Sequence, residues 1–203
     1  MGDKEGRLML SRCSARGFTL IELLVGMALI AVLLALGLPS LSTLLQNNKI
    51  SSATANYYAG LQLARAEAIR SNLPVEFLMT NGTGVGAAPV PGGQNWVVRL
   101  LRPVPLTNVL IDQKTGLEGE GTTTQAVQVN VLVAPVGFDG RVTFNGFGAP
   151  GNPYSFDIVH RTLTCAQLPG GLARCRRINV TASGQITSCD PSVPAVAGDT
   201  RAC

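Results

Sequence analysis

The sequence predicts an α+β chain, one long N-terminal helix followed by a mainly antiparallel β-sheet domain. Three observations carry this. Residues 18–38 form an apolar run of 21 residues with one charge. An apolar stripe at helical spacing continues past Pro39 to Ala68. After Pro74 the chain changes to short β-type runs separated by Gly, Pro and Asn.

The apolar run, FTLIELLVGMALIAVLLALGL, is long enough to cross a bilayer core as a helix. Lys4, Arg7, Arg12 and Arg16 precede it against Asp3 and Glu5. This basic flank predicts a cytoplasmic N-terminus, with the remainder facing outward. A conventional secretory signal is the rival, with cleavage near Ala35-Leu36-Gly37. Two features oppose it: the run is long for such a signal, and it contains Glu22. Acids at the centre of a membrane helix cost about 2.5–3.5 kcal/mol on insertion scales. Glu22 is off-centre, so its cost is smaller, yet an intramembrane carboxylate is a functional candidate. The blander reading is that it snorkels to the headgroups or is protonated without a role.

Beyond Pro39, Leu41, Leu44, Leu45, Ile50, Ala53, Tyr57, Leu61, Ala64 and Ala68 fall three or four apart, mostly on one face. Pro39 lacks a backbone donor, which predicts a kink or a melted turn there. Asn72-Leu73-Pro74 ends the helix, because a residue before proline avoids the helical region. The helix is therefore expected over roughly 18–71. Strands are expected at Val75–Met79, Trp96–Leu101, Val127–Val133, Arg141–Asn145, Tyr154–Leu163 and Arg177–Thr181, with Gln185–Thr187 closing a last hairpin. Thr80–Gln94 and Thr115–Thr124 read as surface loops, and the tail from Asp190 as irregular. A helix laid on one antiparallel sheet satisfies all of this.

Of the five cysteines, Cys13 lies in the basic segment, and Cys165, Cys175, Cys189 and Cys203 crowd into the last 39 residues. An even set in one region reads as disulfides formed in an oxidising compartment. Zinc is the rival, but no CxxC spacing supports it, and His160 is the only histidine. Four cysteines allow three pairings, and the spacing does not choose among them.

Residues Arg16-Gly17-Phe18-Thr19-Leu20-Ile21-Glu22-Leu23-Leu24 resemble the processing site of a type IV prepilin. Leu61–Asn72 followed by Pro74-Val75, Gln94–Val98, and Arg176–Val180 with Ser183-Gly184 resemble GspH/FimT-type minor pilins and pseudopilins. The resemblance implies the type IV pilin fold and three regions: a leader over 1–17, a transmembrane and assembly segment over 18–38, and a periplasmic domain over 39–203. It implies that a prepilin peptidase cuts after Gly17 and that Phe18 becomes an N-methylated terminus. Glu22, with Thr19 and Pro39, then serves assembly. A neighbouring subunit's amine neutralises Glu22 when helices bundle, since either charge alone is unfavourable in lipid. The implied partners are the peptidase, other pilins or pseudopilins, and inner-membrane lipid before assembly.

The resemblance leaves a type IV pilus and a type II secretion pseudopilus both open. A third role, DNA binding for uptake, is weaker. The C-terminal hairpin of DNA-binding relatives carries Gly-Arg-x-Arg, whereas this chain reads Gly184-Gln185-Ile186-Thr187. Arg174, Arg176 and Arg177 form the dense basic cluster of the body and are the candidate DNA contacts, or simply a solvated strand face. Trp96, Phe77, Phe144 and Phe156 are expected in the core. No P-loop, dinucleotide fingerprint or paired metal ligands occur in the sequence, so neither an enzyme nor a cofactor is expected.

Overall fold

The computed structural model describes residues 18–116, 129–135, 137–161, 163–194, 199 and 201–203, giving only the backbone for 36–40, 129 and 130. The leader with Gly17 and Cys13, and most of the loop expected at Thr115–Thr124, lie outside these residues. The chain divides into two compact units, one ending at Leu41 and the other comprising Ser42–Cys203.

Helix α1 is Leu20–Ser71 and includes Pro39, so of the two expectations for that residue the melted turn is absent. In the first unit its large apolar side chains point outward on every face: Leu20, Ile21, Leu24, Met27, Leu29 and Leu33 are all exposed. Among the described residues no helix is long and apolar enough to cross a membrane. The last three residues of the expected 18–38 segment have no described side chain.

In the second unit the helix buries one stripe completely: Ile50, Ala53, Tyr57, Leu61, Ala64 and Ala68. Their successive spacings of three, four, four, three and four residues keep them on one face. The stripe was expected to include Leu44 and Leu45, but both are exposed, because the packed core begins one turn later at Ile50. The helix ends at Ser71, and Asn72 just beyond it, with a φ of 51°, is the left-handed cap that frees the chain to turn into Pro74.

Eight strands follow: β1 Val75–Thr80, β2 Asn95–Leu100, β3 Val109–Lys114, β4 Val129–Ala134, β5 Arg141–Phe144, β6 Tyr154–His160, β7 Arg176–Val180 and β8 Ile186–Cys189. They form two antiparallel four-stranded sheets, ordered β3-β2-β1-β5 and β4-β6-β7-β8, where one sheet was expected. Seven strands overlap the expected runs. The eighth, β3, was missed because it is an edge strand with Ile111 as its one half-buried apolar residue, so no alternation marks it.

Both sheets share one core under the helix. Val75, Phe77 and Met79 from β1 and Trp96 and Val98 from β2 meet Phe156 and Ile158 from β6 and Ile178 and Val180 from β7. Tyr57 joins the sheets: its ring centroid lies 5.7 Å from Phe77 and 6.3 Å from Phe156. Its hydroxyl donates to the Gly93 carbonyl at 2.9 Å. Next to it Gly60 lets the helix approach the first sheet. A Cβ there would stand 2.8 Å from a Phe77 ring carbon and 3.1 Å from the Trp96 indole.

The other face of β1 carries Glu76, Leu78 and Thr80, and is also buried. The loop between β1 and β2 covers it, with Ala87 packed on Leu78 and Val97. Arg99 fastens this cover. It bonds Glu76 Oε2 at 2.6 Å and donates to the carbonyls of Val85 at 2.7 Å and Ala87 at 3.3 Å. The Glu76 side chain is only 3% exposed, so its charge is neutralised inside the fold by Arg99, with Arg141 at 3.5 Å.

Two expected outcomes follow from this packing. Gly60→Val overpacks the helix–sheet contact and lowers stability by about 1–3 kcal/mol, read as a drop in thermal midpoint. Burial pushes the Tyr57 phenol well above its usual value of 10.0. A group with a raised folded pKa stabilises fully below its unfolded pKa and loses that contribution as pH rises above it. The domain should therefore weaken from about pH 10 upward, and Tyr57→Phe should flatten this alkaline loss in melts between about pH 9 and about pH 11.

Candidate assembly site and disulfide-bonded pole

Thr19 and Glu22 form a reciprocal cap at the start of α1. The Glu22 N–H donates to Thr19 Oγ1 at 3.3 Å. Glu22 Oε2 accepts from the Thr19 N–H and hydroxyl, each at 3.2 Å. Thr-x-x-Glu at the N-cap and third helical position satisfies two backbone donors that would otherwise lack partners. The carboxylate also sits at the positive end of the helix dipole. The sequence held this signal as Thr19-Leu20-Ile21-Glu22, and charge reasoning about Glu22 alone overlooked it. Phe18, immediately outside the cap, is 87% exposed. The structure thus brings Phe18, Thr19 and Glu22 together, but it leaves Pro39 twenty residues along the helix from Thr19.

The four C-terminal cysteines pair as Cys165–Cys175 and Cys189–Cys203. This selects one of the three open pairings and removes the zinc reading. Among the described residues no group of three His, Cys, Asp or Glu side chains is arranged to hold a metal. His160 is buried at the end of β6, where Nδ1 accepts from the Leu163 N–H at 3.0 Å.

The basic cluster is not a free patch. Arg177 makes a two-pronged pair with Asp157 at 2.6 and 2.9 Å, and these bonds hold its guanidinium pKa above the ordinary value. Arg176 meets Asp190 at 3.0 Å. The Arg174 side chain is exposed, while its backbone N–H donates to Asn47 Oδ1 at 2.8 Å. Cross-strand pairing therefore cancels two of the three charges counted from the sequence. Trp96, Phe77, Phe144 and Phe156 are core residues as expected.

The described residues thus show a capped, acid-bearing helix start and a helix that closes two antiparallel sheets. The chain belongs to the GspH family: the family described as type II transport protein GspH matches residues 53–184. A prokaryotic N-terminal methylation motif matches residues 12–38. The fold is similar to the type IV minor pilin FimU of Pseudomonas aeruginosa, with a TM-score of 0.48 and 15% identity over 69% of this chain and 87% of that one. It is also similar to the minor pseudopilin EpsH of the Vibrio cholerae type 2 secretion system, with 0.42 and 15% over 72% and 99%. For GspH of E. coli the values are 0.42 and 13% over 74% and 94%. No curated protein matches the sequence.

Replacing Cys165 and Cys175 together by Ser should cost about 2–4 kcal/mol. The loop they close anchors Ala173 in the core, so the loss should read as a lower unfolding midpoint without reductant, and reductant should lower the variant's midpoint further only by what Cys189–Cys203 contributes.

Proposed function

We propose that the chain is a structural filament subunit, cut after Gly17 by a prepilin peptidase and N-methylated at Phe18, which helps initiate or cap a type IV pilus. Residues 18–38 hold it in the bacterial inner membrane before assembly, with the domain from 39 onward in the periplasm. The carrying observation is the Thr19–Glu22 cap beside the exposed Phe18. Only one carboxylate oxygen, Oε2, is used within the cap. Glu22 Oε1 is then available to the new amine of a neighbouring Phe18, and the cap holds the acid in the orientation that receives it. A helix apolar on all faces supports the same reading, since only lipid or other helices can cover every face at once. The partners are other pilins or pseudopilins.

The same arrangement suits a type II secretion pseudopilus, and the family description favours that second reading. DNA binding has less support. Phosphate contacts need available Lys or Arg, and Arg176 and Arg177 are committed to Asp190 and Asp157.

N-terminal sequencing of the mature protein should begin at Phe18, and a start near Leu38 would instead indicate an ordinary secreted protein. Glu22→Ala should still be cleaved but fail to enter filaments, scored by subunit content of sheared or purified assemblies. Normal incorporation of that variant would refute the charge pairing.

A further inference from the structure

The direction of the strands puts both disulfides at one end of the second unit. Strand β7 starts at Arg176, which lines a small pocket of about 270 Å³ with Ser51, Thr54 and Tyr58 of the helix. Beyond its far end Gly184 abuts Gly148, and Gly148 lies against Ile69 and Arg65. So β7 runs alongside α1 in the same direction. Its antiparallel neighbours β6 and β8 run back, and leave the sheet at His160 and Cys189. That is the end where the chain enters the unit at Ser42. The Arg174–Asn47 bond ties the Cys165–Cys175 loop to the helix there.

The loop is ordered and presents apolar groups outward. Ala166 N–H donates to the Ala173 carbonyl, and Leu172 and Ala173 N–H groups donate to Thr164, while Ala173 and Cys175 are buried. Around the Pro169-Gly170-Gly171 tip, Leu168 is 54% and Leu172 61% exposed. Arg161 and Arg174 flank them and are exposed. The acids at this end are each matched: Asp157 by Arg177, Asp190 by Arg176 and Asp199 by Arg201. Among the described residues no carboxylate pairs with Arg161 or Arg174, so this pole carries a local positive excess over two exposed leucines.

We infer that the Cys165–Cys175 loop is a membrane-interface contact: Leu168 and Leu172 enter the headgroup region and Arg161 and Arg174 bind anionic lipid phosphates while the subunit awaits assembly. This rests on the membrane anchoring proposed above. The occupant follows from charge complementarity and from chain connectivity, because only three residues separate segment 18–38 from Ser42, where the chain enters the domain. Two leucines with two guanidiniums match an interface where apolar and anionic layers adjoin. The loop is bridged before contact, so docking costs little ordering entropy.

The test uses the full chain in vesicles of phosphatidylethanolamine and phosphatidylglycerol, with Leu168→Trp as a depth probe. The natural Trp96 is buried at 5% exposure and gives the baseline. Lipids brominated near the headgroup should quench the added tryptophan well beyond that baseline. Arg161→Gln and Arg174→Gln should each lower the docked population about fivefold, and neutral vesicles should do the same for both. Flotation of the chain with alkali-washed vesicles separates the two ideas. Chain that floats without quenching overturns the loop contact and leaves the anchor standing. Chain that fails to float overturns both. Quenching indifferent to the arginines and to lipid charge overturns headgroup recognition. Shielding of the probe that grows with protein density, without bromine quenching, assigns the loop to a second copy instead and also overturns the proposal.

Discussion

The burial of one helical stripe between two sheets is the constraint on which the second unit depends. Neither sheet is closed by itself: each offers an apolar face, and Ile50 to Ala68 covers both. Tyr57 stands at the junction, in ring contact with Phe77 of one sheet and Phe156 of the other, and Gly60 sets how near the first sheet comes. A domain of this kind cannot assemble its sheets independently of the helix, because their common core has no other lid among the described residues. The helix that carries the exposed apolar segment of the first unit is also the element that completes the core of the second.

Several carboxylates among the described residues are matched locally. Glu22 is taken up by the helix start, Glu76 by Arg99 beneath a loop, Asp157 by Arg177 across two strands, and Asp190 by Arg176. The buried Glu76 pair is the costly one, and it is justified by what Arg99 does with its remaining donors. They hold the carbonyls of Val85 and Ala87, and so keep the Asn81–Gln94 cover on the sheet. The exposed pairs on the second sheet contribute little stability each. Their larger effect is to remove charge from a surface that the sequence presents as basic.

Much of the fold was legible because its periodicities are local. A stripe repeating every three or four residues identified the helix and its buried face from Ile50 onward. Alternation and turn residues located seven of eight strands. What was not legible depended on contacts far apart in sequence. The apolar positions Leu44 and Leu45 obey the same spacing as Ile50 yet lie exposed, since periodicity reports a face and not what stands opposite it. Strand β3 pairs with β2 along an edge and carries little buried surface, so it left no alternation to read.

The candidate site divides the same way. The sequence by itself presented Gly17, Phe18, Thr19 and Glu22 as the proposed processing and assembly constellation, because those residues are near neighbours along the chain. It also determined that the four late cysteines belong together. Only the tertiary structure decided which cysteines pair, that two of the three clustered arginines are neutralised by Asp157 and Asp190, and that both bridges gather at the end of the sheet where the chain enters. The physical reason is that helical neighbours are fixed by spacing, whereas partners across strands are fixed by register, which no single segment carries.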